Sequence, residues 1–134
     1  MIYLNELEVF LDMVSRFQSH VDNAIDDIRS SYEVLKEQES DLRYQLSLSY
    51  MSMSWQSYLE AKKLYIDPKL DVAEAERFFN SYNIYKSTLK RFINRKEQNN
   101  EWLDAAYKQL IKHYHVLDEF HKKTASETIL KLEF

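Results

Sequence analysis

Ile66-Asp67-Pro68-Lys69-Leu70-Asp71 is the stretch on which the fold of this chain turns. It holds the single proline of 134 residues, and there is no glycine anywhere. Glycine serves positive-φ turns and phosphate-cradling loops, so Asn-Gly hairpins and Gly-rich nucleotide loops are excluded. Pro68 has no N–H to satisfy and suits a first helical position, with Asp67 as the cap before it. Asp71 with Glu74 offers a second start of the capping-box kind. One helix therefore ends near Tyr65 and another begins near Lys69.

On either side of this turn the apolar residues repeat every seven positions. Before it, Leu7, Val14, Val21, Ile28, Leu35 and Leu42 form one row, and Leu4, Leu11, Gln18, Ile25, Tyr32, Glu39 and Leu46 the other. After it, Phe79, Lys86, Ile93, Asn100, Tyr107, Tyr114 and His121 run beside Tyr82, Leu89, Lys96, Leu103, Leu110 and Leu117. Such two-row seams are those of a coiled coil. The expectation is an all-α protein, a long antiparallel two-helix hairpin with arms at about 3–66 and 69–132. A turn centred between Asp67 and Pro68 gives opposed residues a constant index sum of 135. Ile28 then faces Tyr107, Ile25 faces Leu110, and Leu42 faces Ile93. The polar exceptions also meet, Glu39 with Lys96 and Leu35 with Asn100, so Glu39, Lys96 and Asn100 read as a register-setting polar layer. Each arm would extend roughly 90 Å at 1.5 Å per residue. Residues 45–57, QLSLSYMSMSWQS, alternate like a strand, but no second strand is evident, and helix is the preferred reading.

Composition narrows the function classes. There is no cysteine, which removes disulfides and Cys-based zinc sites and suits a reducing cytoplasm. The opening MIYLNELEVF has no basic segment of the secretory kind, and no run approaches the ~20 apolar residues of a membrane span. A cytoplasmic protein without membrane insertion is expected. Residues 1–67 carry six Lys or Arg against twelve Asp or Glu, whereas residues 68–134 carry twelve against ten. The halves are complementary, and the balance is not that of a general nucleic-acid binder.

Around the turn, both arms are more apolar than a seam requires. Tyr50, Met51, Trp55, Tyr58, Phe78, Tyr85 and Phe92 stand out as candidate partner-binding residues. A helix apolar most of the way round must be covered on more than one side. Three coverings fit: further helix packing within the chain, a homo-oligomer that builds a bundle, or a different protein. The basic run Lys86, Lys90, Arg91, Arg95 and Lys96 is either a solvated face pairing with the acidic first arm or a contact for phosphate or an acidic partner. His20, near His115 in the hairpin, and Glu119, one turn from His115, could hold Zn²⁺ with one more ligand. Against this stands the ordinary role of boundary histidines. Neither a Ser-His-Asp nor a Cys-His arrangement can be built from two rods, and the serines at 47, 49, 52, 54 and 57 thin the packing rather than serve as nucleophiles. A chain that is not an enzyme and takes no cofactor is expected.

Trp102-Leu103-Asp104-Ala105, followed by Lys108, Leu110 and Leu117, resembles the W-L-x-A segment and trailing heptads of the FliJ/YscO-like stalk proteins of flagellar and type III secretion systems. That resemblance implies a cytoplasmic, non-enzymatic protein that contacts an export ATPase and the export gate, or escorts secreted substrates. The chain departs from the family in being acidic and rich in tyrosine and phenylalanine. The leading expectation is a coiled-coil adaptor for protein partners. The alternatives are a small nucleic-acid accessory protein of the phage or plasmid type, acting through Lys90, Arg91 and Arg95, and a metal-binding helical bundle.

Overall fold

In the computed structural model, which describes residues 2–37 and 39–133, the chain forms four helices and no strand among those residues. They are α1 (Ile2–Glu37), α2 (Leu42–Tyr65), α3 (Ala73–Arg95) and α4 (Glu101–Glu133), with a 3₁₀ turn at Pro68–Leu70 between α2 and α3. The all-α expectation holds, but the arms are not continuous. Each of the two expected rods reverses at its middle, so the hairpin is folded a second time into a four-helix bundle. At 1.5 Å per residue the 36 residues of α1 span about 54 Å, well short of the expected rod.

The central turn follows the local chemistry of its sequence. Asp67 is extended, and its side chain accepts from the Lys69 N–H at 2.9 Å, with Pro68 at the first position. Leu70 is buried beneath this turn. The α3 helix starts only at Ala73, so the Pro68 start is a short turn and not the helix itself.

The two other reversals are the corrections to the hairpin. At residues 39–41, the Ser40 carbonyl accepts from Arg43 N and its hydroxyl from Leu42 N, at 3.0 and 3.1 Å. At the second, Lys96 takes φ 47° and ψ 48°, its N–H bonds Ile93 O, and Glu97 N bonds Phe92 O. This is the Schellman ending, with lysine at the left-handed position that glycine usually fills. Asn99 Oδ1 then accepts from Glu101 N at 2.9 Å and opens α4. Glu39 and Lys96 thus do not form a polar layer inside a coiled coil. They lie in the two reversals, and Asn100 stands at the threshold of α4. Polar residues interrupt both seams here because both helices stop here.

The antiparallel register about Asp67–Pro68 survives the extra folds. Across α1 and α4, Tyr32 bonds Asp104 and Tyr114 bonds Asp22, and across α2 and α3, Ser54 bonds Tyr82. Each of these pairs has an index sum of 136, against the 135 expected. The first heptad rows therefore serve the bundle core: Val14, Val21, Ile25, Ile28 and Leu35 are buried with Leu89, Ile93, Leu103, Leu110 and Leu117. Leu42, expected to face Ile93, is exposed at the start of α2. The side chain of Leu4 lies outside the described residues.

Packing differs between the two sides of the bundle. Small residues face each other between α1 and α2: Ala24, Ser31, Ser47, Ser54 and Ala61 are all buried. Small side chains let helix axes approach closely. Residues 45–57 are helical, and their alternating serines make that approach possible: Ser47 and Ser54, seven apart, lie on the α1-facing side, whereas Ser49 and Ser52 are exposed. Between α2 and α3 large rings fill the space instead. Tyr58 stacks on Trp55 at 4.7 Å and on Tyr82 at 4.3 Å, and meets Phe79 edge-on at 5.4 Å.

Candidate protein-binding groove

Most of the aromatic surplus that the sequence assigned to a partner is used inside the chain. Met51, Tyr58, Phe78, Tyr85 and Phe92 are buried in the core. Tyr50 and Trp55 are half-buried, and Trp55 lies beneath the Lys86 ammonium, which is 3.1 Å from its ring centroid. Burial, helped by Lys90, lowers the Lys86 amine below the usual lysine range. Asn83 donates to the Tyr58 hydroxyl at 2.8 Å. Trp55, Tyr58 and Phe78 come together around Tyr82, within one internal stack. The helix expected as an internal covering is supplied by the chain's second fold. These seven positions were legible as apolar excess, but excess alone does not tell a core from an interface.

The histidines are dispersed. His121 is buried, and its Nδ1 lies 2.6 Å from Gln18 Oε1. Gln18 Nε2 donates to Asp22 Oδ1, which also accepts from the Tyr114 hydroxyl at 2.7 Å. That orients the Gln18 oxygen toward the imidazole and makes Nδ1 the donor. Among the described residues, no group of three or more His, Cys, Asp or Glu is placed to hold a metal ion. His20, His115 and Glu119 therefore do not assemble a zinc site there. No helix among the described residues is long and apolar enough to cross a membrane.

Concave surface occurs in several places. The two reversals enclose a polar hollow of about 380 Å³ lined by Asp41, Arg43, Lys96 and Glu97, where opposite charges alternate. A hollow of about 320 Å³ between α1 and α4 is occupied along its rim by the Gln18–His121 contact. Ser15 and Ser19 line the second hollow together with His121, whose Nδ1 is engaged with Gln18 and not with a serine hydroxyl.

A third, of about 230 Å³, is of another kind. It runs between α3 and α4, with Ser81, Ile84 and Thr88 on one side and Trp102, Ala105, Ala106 and Gln109 on the other. Trp102 is 69 % exposed and Ile84 58 %. Two large apolar side chains thus stand on either wall of a groove floored by alanines and hydroxyls. A tryptophan left in water beside a shaped apolar cleft is the kind of residue that dominates binding energy at protein interfaces. Heptad position does not single out this pair: Ile84 and Trp102 fall outside both rows of the second half, but so do the buried Phe78, Tyr85 and Phe92.

The stretch of chain that builds the groove is rich in cations. Between residues 77 and 112 there are eight Lys or Arg against three Asp or Glu. Of those three acids, Asp104 is 2.8 Å from Lys36 and Glu97 is 3.8 Å from Arg91. Of the basic run, Lys90, Arg91 and Arg95 are exposed on α3. The His113 imidazole is held below its usual range by burial first, then by Lys112 and Arg77. In comparisons with known proteins, no family model matches the chain, no curated protein matches it, and no solved structure matches it.

Proposed function

We propose that the protein is a non-enzymatic helical adaptor that binds another protein through the groove between α3 and α4. The observation that carries this is the pairing of exposed Trp102 and Ile84 across an apolar cleft on a bundle whose other described aromatic residues are all buried or half-buried. A rigid pair of helices with a groove between them is a receptor for a peptide or helix that lays side chains into it. Fold stability does not account for Trp102, since burying a large apolar side chain is favourable by roughly 1.5–3 kcal/mol and here that gain is left unrealised. An export-apparatus stalk or an escort for secreted proteins is the narrower form of the same proposal.

A photo-crosslinking amino acid placed at position 102, and separately at exposed Ser126, tests it in the cells of origin. A protein adduct formed from position 102 and not from 126, and lost when Ile84→Asp is added, is the expected result. Equal adducts from both positions, or none from either, would remove the groove as the binding site.

A further inference from the structure

We propose that the occupant of the α3–α4 groove is an amphipathic helix whose apolar edge is flanked by carboxylates. The inference rests on the adaptor reading above and names the chemistry of the partner. The α3 wall of the groove is Ser81, Ile84 and Thr88. Steps of three and four residues keep side chains on one helix face, so the same stripe continues to Arg77 at one end and Arg91 at the other. Both are exposed. On the α4 wall the stripe of Trp102, Ala105 and Gln109 continues to exposed Lys112.

Arg77 on α3 is close enough to His113, the neighbour of Lys112 on α4, to act on it, so both cations stand at the same end of the helix pair. The groove is thus apolar in its middle and cationic at its ends. From Arg77 to Arg91 is about 21 Å along a helix, which matches about four turns of a docked partner. The groove lies parallel to two helix axes, and its floor of buried Ala106 and Ser81 is low. A third helix can seat its ridge there, whereas an extended strand would leave its backbone groups unpaired. The Arg77 guanidinium at one end fits a carboxylate in bidentate geometry, and Arg91 at the other end can do so by exchanging its 3.8 Å contact with Glu97 for one with the partner.

A second copy of the chain supplies such an edge less well: on the far half of α4 the exposed Val116, Ile129 and Leu130 have Glu119 and Glu127 beside them, but Lys122, Lys123 and Lys131 are exposed there as well. The exposed positions of α1 carry Glu8, Asp12, Asp26 and Glu33, but Val9 is the one large apolar residue exposed among its described side chains. The exposed Met53 and Leu59 of α2 are accompanied by Lys62 and Lys63. Nucleic acid fits less well, because the centre of the patch is Ile84 and alanine, and the chain's net charge is −4.

The test uses fluorescence anisotropy with the intact protein and three labelled helical peptides of about 16 residues, with leucines along one edge and Glu, Gln or Lys on the flanks. The Glu peptide is expected to bind at least about tenfold more tightly than the Lys peptide, with the difference shrinking as salt rises from about 50 to about 500 mM. Arg77→Glu with Arg91→Glu should reverse the order, and Trp102→Ala should weaken all three, with unchanged circular dichroism. Equal binding of the Glu, Gln and Lys peptides, still dependent on Trp102, overturns the acidic partner and leaves the adaptor reading standing. Failure of all three to bind at about millimolar concentration overturns both. Tighter binding of a single-stranded oligonucleotide that is lost in the arginine variants assigns the face to nucleic acid and overturns the proposal. So does self-association of the protein alone that Trp102→Ala abolishes.

Discussion

The Ser54 hydroxyl donates to the main-chain carbonyl of Ala24 at 2.7 Å, and its oxygen lies 2.8 Å from the Tyr82 hydroxyl. With the serine proton committed to Ala24, Tyr82 must be the donor in the second contact. One small side chain thus ties α2 to both α1 and α3 at a point fully closed to water.

Removing the two hydroxyls should therefore have unequal effects. Ser54→Ala strands the buried Tyr82 hydroxyl and is expected to destabilise by roughly 1–3 kcal/mol. Tyr82→Phe leaves the Ser54–Ala24 bond intact and should cost about 1 kcal/mol. The double variant should be less destabilised than the sum, since it leaves no orphan donor. Urea unfolding of the four proteins measures this, and additive losses would contradict the assignment of donors.

Tyr85 makes a contrasting case. Its ring is fully buried, and its hydroxyl oxygen has no hydrogen-bond partner of good geometry among the described residues. Burial pushes the phenol pKa up, with Ser31 nearby pulling weakly the other way. Ser31 and Ser47 already bond each other at 2.9 Å, and Ser47 donates to the Ser31 carbonyl. Tyr85→Phe should then be neutral or stabilising by up to about 1 kcal/mol. A loss comparable to that of Tyr82→Phe would mean that the Tyr85 hydroxyl is bonded in solution, through Ser31 or a buried water.

Among the described residues, Lys96 is the one with positive φ, at 47°. A side chain with a Cβ is disfavoured there by roughly 1 kcal/mol. Lys96→Gly is expected to raise the unfolding free energy by about 0.5–1 kcal/mol, with Lys96→Asn between the two. Glycine also loosens the unfolded chain, which trims the gain. A shift of the urea midpoint in the other direction would mean that the Lys96 side chain contributes contacts that outweigh the backbone strain.

Lys96 also shows why part of the fold was legible and part was not. Pairing about Asp67–Pro68 could be read because seven-residue rows carry register, and Tyr32–Asp104 and Ser54–Tyr82 keep it within one residue. The reversals at 39–41 and 96–100 carry no glycine or proline to announce them. They are made by a serine side chain, a strained lysine and an asparagine cap, and a Glu39–Lys96 mismatch looks the same in a seam as at a pair of facing breaks. The groove was hidden for a related reason. Trp55 and Trp102 are equally apolar in sequence, and only the second fold decides which one lies under a neighbour.

The buried His121 makes stability depend on pH in a defined window. Desolvation lowers its pKa from the ordinary 6.5 to about 4, although Asp118, Asp22 and Glu74 pull the other way. The unfolded chain takes up this proton near pH 6.5 and the folded one only near 4. Between those values the unfolded state binds more protons, so stability falls as the pH drops and levels off below about 4. The full loss is about 3 kcal/mol. Carboxylates titrate at the acid end of the same window, so the comparison is between the wild type and His121→Gln, by urea unfolding from pH 7 to 4. The wild type should lose about 3 kcal/mol more than the variant across that range, most of it between pH 6 and 4.5. Parallel curves would mean that the imidazole is hydrated or charged in the folded protein, and the Gln18–His121 bond, with its Nδ1 donor, would then have to be reassigned.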